Sequence, residues 1–232
     1  MKSIVFDTGS VISLVTNNLL WILEPLKKQF NGEFYITPAV KEELIERPLR
    51  TKRFELEAMQ VYQYLKNGVF KVNPDQRIKK TADKLLELAN HSFKTRGTWI
   101  SIVHKAETEA LAADAVLDSE AVVMDERTTR MLLENSLRLT ELMEKRLHCK
   151  IEPNKNNIKD FKKIVEDVQI IRSTELVIIA YRLGLLDKYL IEKTASVKYP
   201  KKRLLDAALW ALKVRGCAIS KREIEEIIKL ET

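Results

Sequence analysis

The sequence is short of cysteine, histidine and glycine, and each shortage excludes a class of function. The 232 residues include two cysteines, three histidines and six glycines. Two isolated thiols, Cys149 and Cys217, form neither a disulfide framework nor a zinc site. No apolar run approaches the ~18 residues that a membrane-spanning helix requires. No apolar signal segment follows Lys2, so we expect a cytoplasmic protein without a membrane partner.

Basic residues outnumber acidic ones. Forty lysines and arginines stand against 33 aspartates and glutamates, which gives a formal net charge of +7. This excess favours an anionic partner, and nucleic acid is the first candidate. The basic residues form three clusters, which are Arg127 with Arg130, then Arg47, Arg50, Lys52 and Arg53, and finally Lys201, Lys202 and Arg203. Phosphate contacts from such clusters would give salt-sensitive binding that is independent of base sequence.

Short apolar segments alternate with segments of helical periodicity along most of the chain. The apolar segments 4–6, 33–38, 69–72, 121–124 and 168–171 predict five strands. Strands separated by helices indicate a parallel sheet that is covered on both faces. We therefore predict an α/β domain over residues 1–172 and a helical C-terminal extension over residues 173–232, packed on or beside it. The predicted helices include 17–30, 100–117 and 128–147, the last with at most one break. The polar stretch 153–157 resembles a linker.

Asp7 follows the first predicted strand and opens the segment DTGS. Aspartic proteases carry their acid in such a setting, and actin-like and sugar kinases hold phosphate with a similar turn. A protease would need a mostly β chain and a second DTG segment, which only a homodimer could supply here. A kinase would need further glycine-rich turns, and six scattered glycines do not supply them. Both interpretations are therefore excluded.

Four segments, in the same order and beside the same elements, resemble the PIN-domain ribonuclease family. They are DTGSVISL, TPAVKEEL, KAETEALAAD and AVVMDERTTR, and they lie within roughly residues 1–135. The resemblance implies a PIN-like sheet and an endoribonuclease that depends on Mg²⁺ or Mn²⁺. The family's metal-binding and catalytic acids align with Asp7, Glu43, Glu107 and Asp125. Glu43 is selected over Glu42, expected to be solvated, because the family's acid directly precedes a leucine.

Elementary chemistry agrees with this implication. In an open α/β sheet, ligands bind beyond the carboxyl ends of the strands, where Asp7 and Asp125 are predicted to lie. Hard divalent cations take oxygen ligands, and a bound cation activates water and neutralises charge on a phosphodiester. Carboxylates held together repel one another, so raised pKa values are expected in the metal-free site.

Several of these acids keep a second interpretation. Asp7 is also suited to cap the helix that follows it. Glu107 and Glu109 flank the apolar stripe of their helix on opposite shoulders, so periodicity alone does not choose between them, and only the resemblance selects Glu107. Glu126 is either a further metal ligand or a merely exposed acid. Asp114, on the same helix as Glu107, is expected to be solvated.

The expected partner is RNA, either single-stranded or structured. Arg127 and Arg130 follow Asp125, and Arg50 and Arg53 lie near the end of the Glu43 helix, so all four are predicted RNA contacts. The sequence does not separate RNA from flap-like DNA. Two rival interpretations are a non-catalytic PIN-like module that binds RNA or protein, and the toxin of a toxin–antitoxin pair with an antitoxin-like partner. The resemblance also makes a homodimer the first expectation for the oligomeric state.

Overall fold

The computed structural model describes residues 2–192 and 199–232. The strands of this part of the chain are β1 (Ser3–Phe6), β2 (Glu33–Ile36), β3 (Phe70–Val72), β4 (Phe93–Thr95), β5 (Thr98–Trp99), β6 (Ala121–Val123), β7 (Glu152–Pro153) and β8 (Ile170–Ile171). The helices are α1 (Thr8–Thr16), α2 (Leu23–Phe30), α3 (Pro38–Lys41), α4 (Arg47–Arg50), α5 (Glu55–Lys66), α6 (Gln76–Asn90), α7 (Lys105–Leu117), α8 (Arg127–Glu134), α9 (Ser136–Leu147), α10 (Lys155–Ile164), α11 (Ser173–Arg182), α12 (Pro200–Val214) and α13 (Lys221–Glu231). A π-helical segment, Glu42–Glu46, joins α3 to α4.

The main sheet has five parallel strands in the order β3-β2-β1-β6-β8. The central strand β1 places Phe6 beside Ile36 of β2 on one side and beside Val123 of β6 on the other. The predicted α/β class, with about five short parallel strands between helices and a helical C-terminal segment, is confirmed. The strand order reverses between β1 and β6, because β2 and β3 extend the sheet on one side of β1 while β6 and β8 extend it on the other. The crevice beyond the carboxyl ends of β1 and β6 is therefore the expected place for a ligand.

Alternating residues of the sheet face two separate buried clusters. Ile4 and Phe6 of β1 belong to one cluster with residues of α1, α2, α5, α11 and α12. Val5 belongs to the other, with residues of α6, α7, α9 and α10. The Phe6 ring is fully buried, with its centroid 5.0 Å from that of Phe34 and 5.3 Å from that of Phe70. Apolar burial on both faces explains why the central strands β1 and β6 consist almost entirely of apolar residues.

Three predictions about local structure were wrong. Apolar periodicity predicted the first helix over 17–30, whereas α1 forms directly after β1 with Asp7 as its cap, and α2 begins only at Leu23. The helix predicted over 100–117 begins only at Lys105, and residues 100–104 are neither helix nor strand. The hairpin of β4 and β5 precedes them. The supposed linker 153–157 is structured, since β7 pairs with β4 and Asn154 caps α10. The predicted single break in the helix over 128–147 is confirmed, at Asn135.

The helices after β8 pack against the sheet and against one another. The predicted domain boundary at residue 172 falls on Arg172, the residue before α11. Leu176, Val177 and Ala180 of α11 are buried in the same cluster as Phe6. A separate small cluster lies between α12 and α13. None of the helices in residues 2–192 and 199–232 combines the length and the apolarity that crossing a membrane requires.

Candidate functional site

Asp7 lies at the carboxyl end of β1 and caps the N-terminus of α1. One carboxylate oxygen, Oδ2, accepts a hydrogen bond from the main-chain N–H of Gly9 at 3.1 Å. The side chain is only 3% exposed. Its second oxygen, Oδ1, is buried and has no hydrogen-bond partner in the described chain. An unpartnered buried oxygen is costly, so the capping role alone does not account for this carboxylate.

A pocket of about 210 Å³ opens in front of Asp7. All five acids predicted for the site line it, namely Asp7, Glu43, Glu107, Asp125 and Glu126. The remaining lining residues are Thr8, Gly9, His104, Ala106 and Gly216. The pocket therefore lies where the sheet topology predicts, beyond the carboxyl ends of β1 and β6.

Asp125 is held in place by Ser173, the first residue of α11, which follows β8. It is 3% exposed, and its Oδ1 accepts from the Ser173 main-chain N–H at 2.8 Å. Its Oδ2 accepts from the Ser173 hydroxyl at 2.7 Å. Both oxygens thus have a donor at the start of α11, which ties the C-terminal segment to the acid site.

Glu43 reaches the pocket from the π-helical segment. Its Oε2 accepts a hydrogen bond from the Thr8 hydroxyl at 2.8 Å, so the Thr8 side chain positions Glu43. The neighbouring Glu42 turns toward Arg50, whose Nη2 lies 3.1 Å from Glu42 Oε1. Ser10 donates to the main-chain carbonyl of Asp7 at 2.8 Å and stabilises the turn.

Glu107 and Glu109 point to different places. Glu107 lines the pocket, and its Oε2 accepts from the Thr129 hydroxyl at 2.6 Å and from the main-chain N–H of His104 at 3.3 Å. Glu109 is buried, and its Oε2 accepts from the main-chain N–H of Ala39 at 2.9 Å, at the start of α3. The structure therefore places Glu107 beside the other acids and gives Glu109 a capping role.

Glu126 lies at the mouth of the pocket and caps the helix that follows it. It is exposed and lines the pocket, while its Oε1 accepts from the main-chain N–H of Thr128 at 2.9 Å and so caps α8. The expectation that Asp114 is solvated was wrong, since its side chain is only 3% exposed. Asp114 does not line the acid pocket, and its pKa is raised to about 7 by burial and by the charge of Asp118.

Crowding of the acids changes their proton affinity. The pKa of Asp7 is raised from its ordinary 3.8 to about 7, first by burial and then by the charges of Glu107 and Glu43, against hydrogen bonds from the main chain of Gly9 and Thr8. Burial also raises the pKa of Glu107, although the bond from Thr129 opposes the change. Raised pKa values of this kind are those expected for a metal-free carboxylate site.

The donor set matches a hard divalent cation in chemistry but is not arranged around one. All five acids offer oxygen, and the unpartnered Asp7 Oδ1 lacks any donor. A Cβ built on Gly9 would stand in ordinary van der Waals contact with the two acids, 3.4 Å from Asp7 Oδ2 and 3.9 Å from Asp125 Cβ. As the side chains stand, however, no group of three acidic, histidine or cysteine side chains in the described residues is disposed to coordinate one ion. Side-chain rotations would be needed for Glu43 and Glu107 to join Asp7.

The predicted RNA contacts divide into two groups. Arg127 and Arg130 lie in α8, which starts two residues after Asp125, and they line a cavity next to the acid pocket. Arg50 is exposed and lies within ion-pairing distance of both Glu42 and Glu46. Arg53 is exposed and stacks over the Phe54 ring at 5.0 Å. Neither Arg50 nor Arg53 lines the acid pocket.

Sequence reasoning missed Ser173, Thr129 and Cys217. Ser173 had a usable signal, because it follows a predicted strand just as Asp7 and Asp125 do, but only acids were sought there. Thr129 lies within the segment AVVMDERTTR, but its bond to Glu107 depends on tertiary packing, as does the approach of Cys217 to Asp125. The pKa of the Cys217 thiol is raised to about 12, first by burial and then by the charge of Asp125. Cys217 is therefore a neutral thiol at physiological pH and not a nucleophile.

Comparison of the chain with protein-family models, with curated proteins and with solved structures found no match in any of the three. The interpretation of the site depends on its own geometry and chemistry.

Proposed function

We propose that the chain is a cytoplasmic, PIN-like, metal-dependent endoribonuclease that hydrolyses RNA phosphodiester bonds. The observation that carries the proposal is Asp7, a buried carboxylate with an unpartnered oxygen and a raised pKa, which lines a pocket with Glu43, Glu107 and Asp125. Mutually repelling acids are costly to keep together, and a cation of Mg²⁺ or Mn²⁺ type is the partner that offsets this cost.

Each acid has a distinct part in this proposal. Asp7 offers the free oxygen, while Ser173 holds Asp125 rigidly with two donors. Glu43 accepts a hydrogen bond from the Thr8 hydroxyl, and Glu107 accepts one from the Thr129 hydroxyl. Both carboxylates would turn toward the cation. When bound, the cation supplies activation of water and neutralisation of charge on the phosphate.

The rival function is a module that binds RNA or protein without cutting it. It is favoured by the hydrogen bonds that already occupy the carboxylates of Glu43, Glu107 and Asp125. The two functions differ in one measurement, the cleavage of labelled single-stranded and stem-loop RNA in the presence of Mn²⁺, Mg²⁺ or EDTA. Cutting that requires the cation supports the nuclease, and RNA binding without any cutting supports the module.

A pair of neighbouring glutamates tests which acids belong to the site. Glu107→Gln should slow RNA cleavage by about 10- to 100-fold, a loss typical of groups that support a metal site. Glu109→Gln should cleave RNA at the rate of the unaltered chain, because Gln keeps an oxygen that accepts from Ala39. Single-turnover cleavage rates of the two variants provide the comparison. Equal rates would remove Glu107 from the proposed site.

Ser173→Ala should show how far RNA cleavage depends on the position of the Asp125 carboxylate. The change removes the hydroxyl bonded to Asp125 Oδ2, which should cost about 1–3 kcal/mol of stability and about tenfold in cleavage rate. Ser92→Ala is the matched control, because Ser92 is also fully buried and its hydroxyl bonds to the Leu88 carbonyl at 2.7 Å, remote from the acids. Chemical denaturation and cleavage are measured on both. A control that lost as much activity would show that the effect is general destabilisation.

A further inference from the structure

A second cavity, of about 640 Å³, lies between α8–α9 and residues 213–226. We call it the basic groove. Its α8–α9 wall includes Arg127, Arg130 and Arg138, and its C-terminal wall includes Lys213 and Arg222. The volume falls within the ~300–1,000 Å³ that is usual for ligand sites.

The basic groove adjoins the acid pocket along both walls, where residues that are neighbours in sequence line one cavity and the other. On one wall, Glu126 lines the acid pocket and the next residue, Arg127, lines the groove. On the other wall, Gly216 lines the acid pocket and Ala218 lines the groove. A chain that occupied the groove would therefore lead directly to the acids.

The groove has an excess of positive charge. Its lining contains five basic residues and three acidic ones, Glu134, Glu223 and Glu226. Two of the acids are engaged elsewhere or locally, since Glu223 pairs with Arg172 at 2.9 Å and Glu226 with Arg222 at 2.8 Å. Within the described chain, Arg127 and Arg138 have no carboxylate within ion-pairing distance. The uncompensated charge therefore lies mainly on the α8–α9 wall.

Arg130 carries a charge that the protein itself compensates poorly. Its side chain is 15% exposed, and the nearest carboxylate oxygen, Glu134 Oε1, lies 3.9 Å from Nε, beyond hydrogen-bond distance. Its Nη1 is buried and has no hydrogen-bond partner in residues 2–192 and 199–232. A partly desolvated guanidinium without a partner is costly, and an anion in the groove would offset that cost.

We propose that the basic groove binds the phosphodiester backbone of the RNA beside the scissile bond, so that the C-terminal helices form one wall of the substrate site. This inference rests on the proposed ribonuclease function and extends it to Arg138, Lys213 and Arg222, which lie beyond the segments that resemble a nuclease. Arg127 and Arg138 supply exposed charges, and Arg130 supplies a guanidinium held in place by packing. Contacts of this kind follow the backbone and do not read bases.

Binding in EDTA tests the inference without cleavage. The affinity of the full-length chain for a short labelled single-stranded RNA is measured by fluorescence anisotropy over a range of salt concentrations. Arg130→Met should weaken binding about tenfold or more, as expected for a lost charge-assisted contact. Arg138→Ala and Lys213→Met should each make the slope of log K against log salt shallower by about 0.7. Arg146→Ala is the matched control, since Arg146 is exposed on the same helix as Arg138 but outside the groove.

Two failures are distinguishable. If Arg138→Ala and Lys213→Met bind RNA with unchanged affinity and salt slope, the inference is overturned, even where the unaltered chain cuts RNA. An Arg146→Ala effect as large as that of Arg138→Ala would also overturn it, because net charge alone would explain the binding. If the groove variants weaken binding but the unaltered chain cuts no RNA with any cation, the groove stands and the ribonuclease proposal fails. Arg138 is exposed, so its replacement leaves the buried core untouched.

Discussion

Asp7→Asn should lower the rate of RNA cleavage by about 10²- to 10³-fold, the loss typical of removing one well-placed polar group from a catalytic site. The substitution is nearly isosteric, and asparagine is as good a helix cap as aspartate. Its amide oxygen can still accept from the Gly9 main-chain N–H. What it loses is the negative charge and the unpartnered Oδ1 that line the acid pocket. Cleavage under single-turnover conditions with saturating Mn²⁺ measures the loss.

Asp114→Asn is the matched control for this experiment. Asp114 is as buried as Asp7, each being 3% exposed, and burial raises the pKa of each to about 7. Asp114 does not line the acid pocket, so its replacement should leave cleavage unchanged. A loss shared by both variants would mean that burying an amide at either place damages the fold, and Asp7 would then have no special part in the chemistry.

The fold was predictable where local patterns decide it. The apolar runs of β1 and β6 predicted their strands because both strands are buried on both faces, as Val5 and Phe6 illustrate, whereas β2, β3 and β8 are only partly buried. The hairpin of β4 and β5 was missed because its strands, FKT and TW, contain no run of apolar residues. The start of α7 at Lys105 was missed because residues 100–104 continue the apolar pattern of the helix, although they are not helical.

The site was predictable only in part. Asp7 and Asp125 follow strands, so the rule that ligands gather at strand ends finds them from sequence. Glu107 and Glu109 are distinguished by their contacts, since Glu107 accepts from Thr129 and Glu109 accepts from the main chain of Ala39. Each partner is distant in sequence from the glutamate that it contacts. The C-terminal wall, including Gly216, reaches the acids only through the packing of α11 and α12 on the sheet. No local pattern could have placed it there.

In EDTA, the stability advantage of Asp7→Asn over the unaltered chain should grow as the pH rises. The pKa of Asp7 is raised in the folded chain, so folding favours its protonated form. That contribution to stability is complete below about pH 3.8 and is lost as the pH rises through about 7. The difference between these pKa values corresponds to about 4 kcal/mol at 1.36 kcal/mol per pKa unit. We expect the variant to match the unaltered chain near pH 4 and to exceed it by up to that amount near pH 8.

Urea denaturation at several pH values measures this difference. Subtracting the two chains isolates Asp7 from the other carboxyls, some of which act in the opposite sense. Glu223, for example, has its pKa lowered to about 2 by hydrogen bonds from Ser220 and Arg172, against the effect of its burial, and so stabilises the fold at high pH. A stability difference that stays constant between pH 4 and pH 8 would contradict a raised pKa for Asp7.

Adding Mn²⁺ near pH 8 should return the stability that ionised Asp7 removes. A cation held at about 100 times its dissociation constant stabilises the folded chain by about 2.7 kcal/mol. For a chain of this size, each kcal/mol raises the melting temperature by about 2–4 °C. We therefore expect a rise of several degrees for the unaltered chain and for Asp114→Asn, and little or none for Asp7→Asn. An equal rise in all three chains would place the cation elsewhere, and the crowded acids would then be a structural feature of the sheet edge.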